Sequence, residues 1–254
     1  VALEGGEPST MMALSFETDS AQDLEDAVRK HGATPVRALE GPGGGHAVSM
    51  KDPDGNVIQL VHGITPRTPD PLNGALLLNQ AVDKPRLGTF QTKSPDGPPQ
   101  LARLGHVGLF TGNMSAMHDW YTRVLGLLAS DLAYAGKPDH KVAGFYRLDR
   151  GAEYVDHHVI GLFGLGKQGI HHLSFEVQNL EVQFMTHKWL TAHSYESIWG
   201  VGRHPRGSHI FDVWRDPGGF RFETFSDTDM FDSSRKAEEF PIESMSMDLW
   251  VNRS

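Results

Sequence analysis

The tetrapeptide Leu14-Ser15-Phe16-Glu17 recurs later in the chain as Leu173-Ser174-Phe175-Glu176. A turn sequence follows each copy in the same order, Asp52-Pro53-Asp54-Gly55 after the first and Asp216-Pro217-Gly218-Gly219 after the second. The two landmarks lie 38 residues apart in the first copy (14 to 52) and 43 in the second (173 to 216). Repetition of two landmarks in order indicates that the chain is built from copies of one supersecondary unit.

Each copy has the pattern of a βαβββ module. Apolar residues at helical spacing predict helices over 21–31 and 180–192. Alternating runs at 47–50 and 56–61 predict strands that meet at the Asp-Pro turn, where Pro presets φ and Gly accepts positive φ. A third copy lies between the two, with a strand over 104–110, a helix over 115–126, and strands over 142–148 and 157–163. The predicted fold class is therefore α+β, made of βαβββ modules.

The modules predict four segments along the chain. An incomplete N-terminal domain over 1–63 holds one module, and a linker over 64–102 follows, because seven of the fifteen prolines lie between 65 and 99. A C-terminal catalytic domain over 103–228 holds two modules, and a tail occupies 229–254. Because the sequence begins at Val1 rather than Met, we expect that residues preceding it, including a matching first module, are missing.

Composition excludes several classes of protein. Cysteine is absent, which removes disulfide scaffolds, thiol nucleophiles and cysteine-ligated metal sites. The net charge of −9, with no basic run, argues against a nucleic-acid partner. No apolar run has the roughly 20 residues of a membrane span, so we expect no membrane partner and a cytoplasmic location. Any metal must be held by carboxylates and by some of the fourteen histidines.

Histidines recur at ordered positions in the second half of the chain. His106 lies in the strand Gly-His-Val-Gly-Leu, and the later positions are Asp156-His157-His158, Ile170-His171-His172, Gly202-Arg203-His204 and Glu223. Together with the paired modules, this order resembles the type I extradiol ring-cleavage dioxygenases of the vicinal oxygen chelate superfamily. The resemblance covers 103–228 well and 10–63 more weakly, and it implies that paired modules form half-open barrels.

The resemblance implies that His106, His172 and Glu223 are metal ligands. Two imidazoles and one carboxylate on one face of Fe(II) form an oxygen-activating triad with open positions, and Mn(II) suits the same donors. His171 competes with His172 for the second position. Because successive side chains of a strand point to opposite faces, only one of the two can face the metal, and we choose His172.

Further residues are assigned around the metal. The resemblance implies that His157, fifteen positions before His172, is the acid–base residue, a role that suits the near-neutral pKa of imidazole. It also implies that His204 binds a substrate hydroxyl. We place His158, on the other face of a regular strand, with His209 and Phe211 among the substrate-binding residues.

Three positions differ from the pattern of site residues, one in the second half of the chain and two in the N-terminal copy. Nine residues after His204 the family has a tyrosine that donates to the catechol oxygen, whereas this chain has Val213. In the N-terminal copy, alignment of the repeats places Ala13 opposite His172 and Gln59 opposite Glu223. We therefore count Val213 among the substrate-binding positions and expect the N-terminal module to be a scaffold without metal.

The leading functional prediction is an Fe(II)-dependent extradiol dioxygenase that cleaves a catechol-type ring with O2, in aromatic catabolism. Homo-oligomers are common in the family, so we expect one here. One alternative is a metalloenzyme of the same superfamily with isomerase-like chemistry, which the absent tyrosine favours. Another is a ligand-binding or inactive member of the fold, against which the complete triad argues.

Overall fold

The structure, a computed structural model, describes residues 11–72, 77–90 and 98–252. Its helices are α1 (Ala21–His31), α2 (Met114–Arg123) and α3 (Leu180–Ala192). Its strands are β1 (Leu14–Glu17), β2 (Arg37–Ala38), β3 (His46–Lys51), β4 (Val57–His62), β5 (Arg103–Phe110), β6 (Leu128–Tyr134), β7 (Lys141–Arg147), β8 (Val155–Asp156), β9 (Ile160–Phe163), β10 (Gly169–Glu176), β11 (Glu196–Arg203), β12 (Ile210–Arg215), β13 (Arg221–Ser226), β14 (Met230–Phe231), β15 (Glu238–Pro241) and β16 (Trp250–Val251). Of the helices in these ranges, none has the length and apolar content needed to cross a bilayer.

Contacts between residues divide the chain into two compact units, and each unit is built from separate stretches of the sequence. The described residues of Val1–Pro69, with Val107–His171 and Met230–Met245, form the first unit. The described residues of Asp70–His106, with His172–Asp229 and Ser246–Ser254, form the second. The domain boundaries taken from the sequence stay a prediction, but the mixed α+β fold class is confirmed.

The N-terminal module belongs to the first unit and has a four-stranded sheet in the order β1-β4-β3-β2. Helix α1 has the predicted bounds. It begins where the Ser20 backbone N–H donates to the Asp23 carboxylate, 2.9 Å away, and it ends at Gly32, whose φ of 67° suits glycine. Leu24 and Ala27 are buried and anchor the helix to the sheet.

The rest of the first unit is a second module with strand order β15-β6-β7-β9-β5. Helix α2 ends at Arg123, earlier than the predicted Gly126, because Gly126 takes a φ of 71° and Leu127 N–H bonds back to the Tyr121 carbonyl. The strand predicted over 157–163 begins only at Ile160. His157 and His158 therefore lie in the connection between β8 and β9.

The second unit has strand order β10-β13-β12-β11-β16, with α3 over the predicted range. Helix α3 packs on one face of this sheet through polar contacts. Gln183 donates to the Thr224 carbonyl at 2.8 Å, and His187 Nδ1 lies 3.1 Å from Asp212 Oδ2. The opposite face carries Glu223, because Thr224 and Glu223 are neighbours on one strand.

The internal repeat extends to the register of the strands. β1 runs parallel to β4 with Ser15 beside Gln59, and β10 runs parallel to β13 with Ser174 beside Glu223. Even the side-chain hydrogen bond recurs, because Ser15 Oγ donates to Gln59 Oε1 at 3.2 Å and Ser174 Oγ donates to Glu223 Oε1 at 2.6 Å. The sequence alignment that placed Gln59 opposite Glu223 agrees with this register.

Candidate metal centre

Two buried histidines of the second unit lie at matching strand positions. His106 is the fourth residue of β5, and His172 is the fourth residue of β10. Their Nε2 atoms are 3.0 Å apart, and the two rings meet edge to face with centroids 5.1 Å apart. The structure thus brings together the two histidines predicted as ligands.

Glu223 supplies a carboxylate at the same point. Its Oε1 lies 3.2 Å from His106 Nε2 and 3.9 Å from His172 Nε2. Burial opposes ionisation of this carboxyl, but the hydrogen bond from His106 and the nearby imidazoles outweigh it and hold its pKa below the usual range. Glu223 is therefore an anionic donor inside the protein.

The three side chains fit a divalent metal ion. Each offers one ligand atom, all within 4.8 Å of one another, and all three residues are buried. Two borderline imidazole nitrogens and one hard carboxylate oxygen suit Fe(II), Mn(II) and similar first-row ions. The chain therefore has a His/His/Glu donor set for a divalent metal.

The neighbouring histidine, His171, has a different environment. It belongs to the first unit, where its ring lies 4.8 Å from that of Phe110 and 4.4 Å from that of Phe163, measured between centroids. The strand alternation that favoured His172 over His171 therefore agrees with the side-chain positions.

His204 and Phe211 pack together in the second unit. His204 follows β11, stacks on Phe211 with 4.1 Å between ring centroids, and donates from Nδ1 to the Met247 carbonyl at 2.7 Å. Burial lowers the pKa of His204, although the Glu223 carboxylate acts in the opposite direction. With Nδ1 as the donor, the neutral ring presents Nε2 as an acceptor.

His209 lies beside the donor set. Its ring meets that of His106 edge to face, with centroids 5.3 Å apart, and its Nε2 is 3.0 Å from Thr228 Oγ1. Only 1% of His209 is exposed. Among the substrate-binding residues predicted in the second unit, His209 contacts the ring of His106, a predicted ligand.

In the first unit, the predicted residues His157 and His158 form a chain of side-chain contacts with Asp131. His157 Nε2 lies 3.1 Å from Asp131 Oδ2, and the Nδ1 atoms of the two histidines are 3.0 Å apart. Because neither residue is in a strand, the alternation used to separate their roles does not apply. That part of the sequence reasoning was wrong for a physical reason: a connection has no period of two.

Residues 103–224 match the Glyoxalase/Bleomycin resistance protein/Dioxygenase superfamily. The matched segment, just under half of the chain, is similar to a domain of this superfamily. One relative with curated function, Metapyrocatechase 2 of Cupriavidus necator, is 31% identical over 226 residues, which cover 88% of this chain and 66% of the relative. The chain thus spans just under two thirds of the length of that relative.

Solved structures share the fold of this chain. The Mn(II)-bound glyoxalase from Novosphingobium aromaticivorans has a TM-score of 0.71 at 20% identity, covering 94% of this chain and 70% of its own. The 2,3-dioxygenase LapB from Pseudomonas sp. KL28 has a TM-score of 0.73 at 17% identity, with coverages of 94% and 80%. The resemblance predicted from the histidine pattern is confirmed, as is the fold.

Val213 occupies the position at which the resemblance implies a tyrosine. It pairs directly with Glu223 across β12 and β13, so the two side chains lie on the same face of the sheet. Val213 is buried and also pairs with Trp199 on β11. An apolar side chain without a hydrogen-bond donor therefore lies beside Glu223, a predicted ligand.

Sequence reasoning missed two polar residues that contact predicted site residues. Ser174 is fully buried and donates to Glu223, and its place in the repeated Leu-Ser-Phe-Glu sequence was the available signal. Asp131 contacts His157 across 26 residues of sequence, and no motif marked it. Both contacts depend on strand pairing that sequence alone did not specify.

Proposed function

We propose that this protein is an Fe(II)-dependent extradiol dioxygenase, which cleaves a catechol-type ring beside its two hydroxyls and incorporates both atoms of O2. The observation that carries the proposal is the buried convergence of His106, His172 and Glu223. The similarity to Metapyrocatechase 2, and the fold shared with LapB, support it.

The three ligands would hold one metal ion per chain. When bound, Fe(II) supplies open coordination positions and an accessible oxidation, which is the chemistry that O2-dependent ring cleavage needs. The protein shields the site from bulk solvent, because all three ligands are buried. Ser174 orients the carboxylate by its hydrogen bond to Oε1.

The remaining side chains handle the substrate and its protons. His204, neutral because burial lowers its pKa, offers Nε2 as the acceptor for a substrate hydroxyl. The histidine pair His157–His158 holds and moves the proton that a catechol loses and a ring-opened product regains. His209, whose ring contacts that of His106, can replace the donor absent at Val213.

The test is anaerobic purification with metal analysis, followed by O2 uptake against a panel of catechols. We expect the wild type to hold stoichiometric iron and to consume one O2 per ring opened. The Glu223→Ala variant should show neither. Wild-type protein loaded with iron that consumes no O2 with any catechol would contradict the proposal.

A second candidate, isomerase-like chemistry on a substrate that chelates through two oxygens, is favoured by the valine beside Glu223. The fold is shared with a Mn(II)-bound glyoxalase as well as with dioxygenases. Conversion of a chelating substrate without O2 uptake, with Mn(II) as the preferred ion, would support this candidate instead.

A further inference from the structure

Backbone and aromatic contacts within the second unit hold the ring of His204. Its backbone N–H donates to the His209 carbonyl at 2.9 Å, which fixes the chain just after β11. One face of the ring stacks on Phe211, with 4.1 Å between centroids, and the Trp199 ring meets it edge to face at 5.4 Å. Aromatic contacts set the plane of an imidazole, but they do not decide which of its nitrogens carries the proton.

A segment from the C-terminal end of the same unit decides where that proton lies. The Met247 carbonyl accepts a hydrogen bond from His204 Nδ1 at 2.7 Å, across 43 residues of sequence. A carbonyl can only accept, so Nδ1 carries the proton and Nε2 of the neutral ring keeps its lone pair. The tautomer of His204 therefore depends on the position of the Met247 carbonyl.

Strand β16 holds this carbonyl in place. It is the last strand in the sheet order of the second unit, and it pairs antiparallel with β11. The backbone N–H of Leu249 donates to the Arg203 carbonyl at 2.8 Å. Because Arg203 directly precedes His204, and Met247 lies two residues before Leu249, this bond keeps the Met247 carbonyl beside the His204 ring.

Gly202 allows β16 to approach this closely. A Cβ atom at position 202 would lie 2.8 Å from the Trp250 carbonyl oxygen and 2.6 Å from Cζ of Phe211. A side chain here would therefore displace either the strand or the ring on which His204 stacks. One glycine thus permits both the aromatic contact and the carbonyl contact of His204.

His204 also interacts electrostatically with two predicted ligands of its unit. The Glu223 carboxylate raises the pKa of His204 and His106 lowers it, although burial has the largest effect. His204 in turn helps to lower the pKa of Glu223. Because such interactions weaken with distance, the ring of His204 lies near the donor set.

We propose that segment 246–252 is a positioning element for substrate binding, and that the Met247 carbonyl acts by holding His204 in the Nδ1–H tautomer, with Nε2 as an acceptor for a substrate hydroxyl. This inference rests on the proposed function, which assigns that acceptor role to His204. With β16 paired, a catechol O–H can donate to Nε2. With β16 detached, either ring nitrogen can carry the proton, and an Nε2–H group would oppose the substrate donor.

The first test measures the tautomer and needs no activity. Two-dimensional ¹H–¹⁵N spectra of the histidine rings in metal-free protein, at a pH well above the usual pKa of histidine, show which nitrogen carries the proton. The His204 signals are those that disappear in His204→Gln. We expect Nδ1–H for His204 in the wild type. An Nε2–H tautomer would overturn the proposal.

The second test detaches the strand. Leu249→Pro removes the N–H that bonds to β11, whereas Leu249→Ala keeps it and is the matched control, because the Leu249 side chain is 63% exposed. In Leu249→Pro the single Nδ1–H tautomer should be lost. The Kd of a simple catechol, measured without O2 on iron-loaded protein, should rise about 3- to 10-fold, the contribution of one hydrogen bond, with bound iron unchanged. Leu249→Ala should match the wild type in both measurements.

Removal of residues 246–254 provides a second variant. It should keep the circular dichroism of the wild type and show the same changes at His204 as Leu249→Pro. An unchanged tautomer in both variants, or a lost tautomer with unchanged catechol affinity, would overturn the proposal. Wild-type protein that holds iron and binds catechols but opens no ring would instead refute the proposed function, while the tautomer and the Kd would still test the role of the segment.

Discussion

Replacement of Ser174 by alanine should weaken metal binding without removing any ligand. Ser174 Oγ donates to Glu223 Oε1 at 2.6 Å, and both side chains are buried, so no solvent molecule can easily replace the hydroxyl. A hydrogen bond to a charged group contributes about 1.5–3 kcal/mol, and loss of a partner that orients a ligand typically costs roughly 10- to 100-fold in metal affinity. We expect a loss in this range.

The assay is anaerobic titration of Fe(II) or Mn(II) into metal-free protein, in competition with a chelator. Ser15→Ala is the matched control, because Ser15 makes the same bond to Gln59 in the N-terminal module. Its metal affinity should equal that of the wild type. If Ser174→Ala binds metal within a factor of two of the wild type, the hydroxyl does not orient the ligand and the reasoning fails.

Three other outcomes are expected. Glu223→Ala should lose most of the metal and keep its circular dichroism, and stoichiometric iron in this variant would refute the ligand assignment. Val213→Tyr should raise turnover of small catechols, because the added hydroxyl donates a hydrogen bond, and lower turnover of large ones, because the ring fills space. Unchanged turnover in both Val213→Tyr and His209→Ala would refute the inferred pocket. Burial raises the pKa of Asp212 to about 6, so the folded protein binds a proton more tightly than the unfolded chain. The free energy of unfolding should therefore fall as the pH rises from about 4 to 6, and a slope that persists in Asp212→Asn would contradict this origin.

Local patterns predicted the bounds of two of the three described helices. The bounds of α1 and α3 follow from apolar spacing and from end signals such as Gly32, which are encoded within a few residues. Strand alternation separated His172 from His171, and the family resemblance indicated which position holds a ligand. Helix bounds and strand alternation depend on residues that are close together in the sequence, so they can be predicted from the sequence alone.

The contacts around the histidine pair could not be predicted in the same way. The sequence was interpreted as a strand from His157 onwards, but pairing with β7 and β5 begins only at Ile160. Asp131 reaches His157 because of a one-residue bulge, and nothing in the alternation of β6 announces an extra residue. Such features are set by pairing between strands, which depends on the whole sheet.

Arg147 has a consequence for the order in which the molecule can fold. Its guanidinium is fully buried and donates not only to β6 but also to the carbonyls of Asp232 and Arg235, at 3.0 and 2.6 Å. A nascent chain that has emerged only as far as β13 would therefore leave this charge short of two acceptors. The first unit should therefore stay loosely packed until residues 232–235 leave the ribosome.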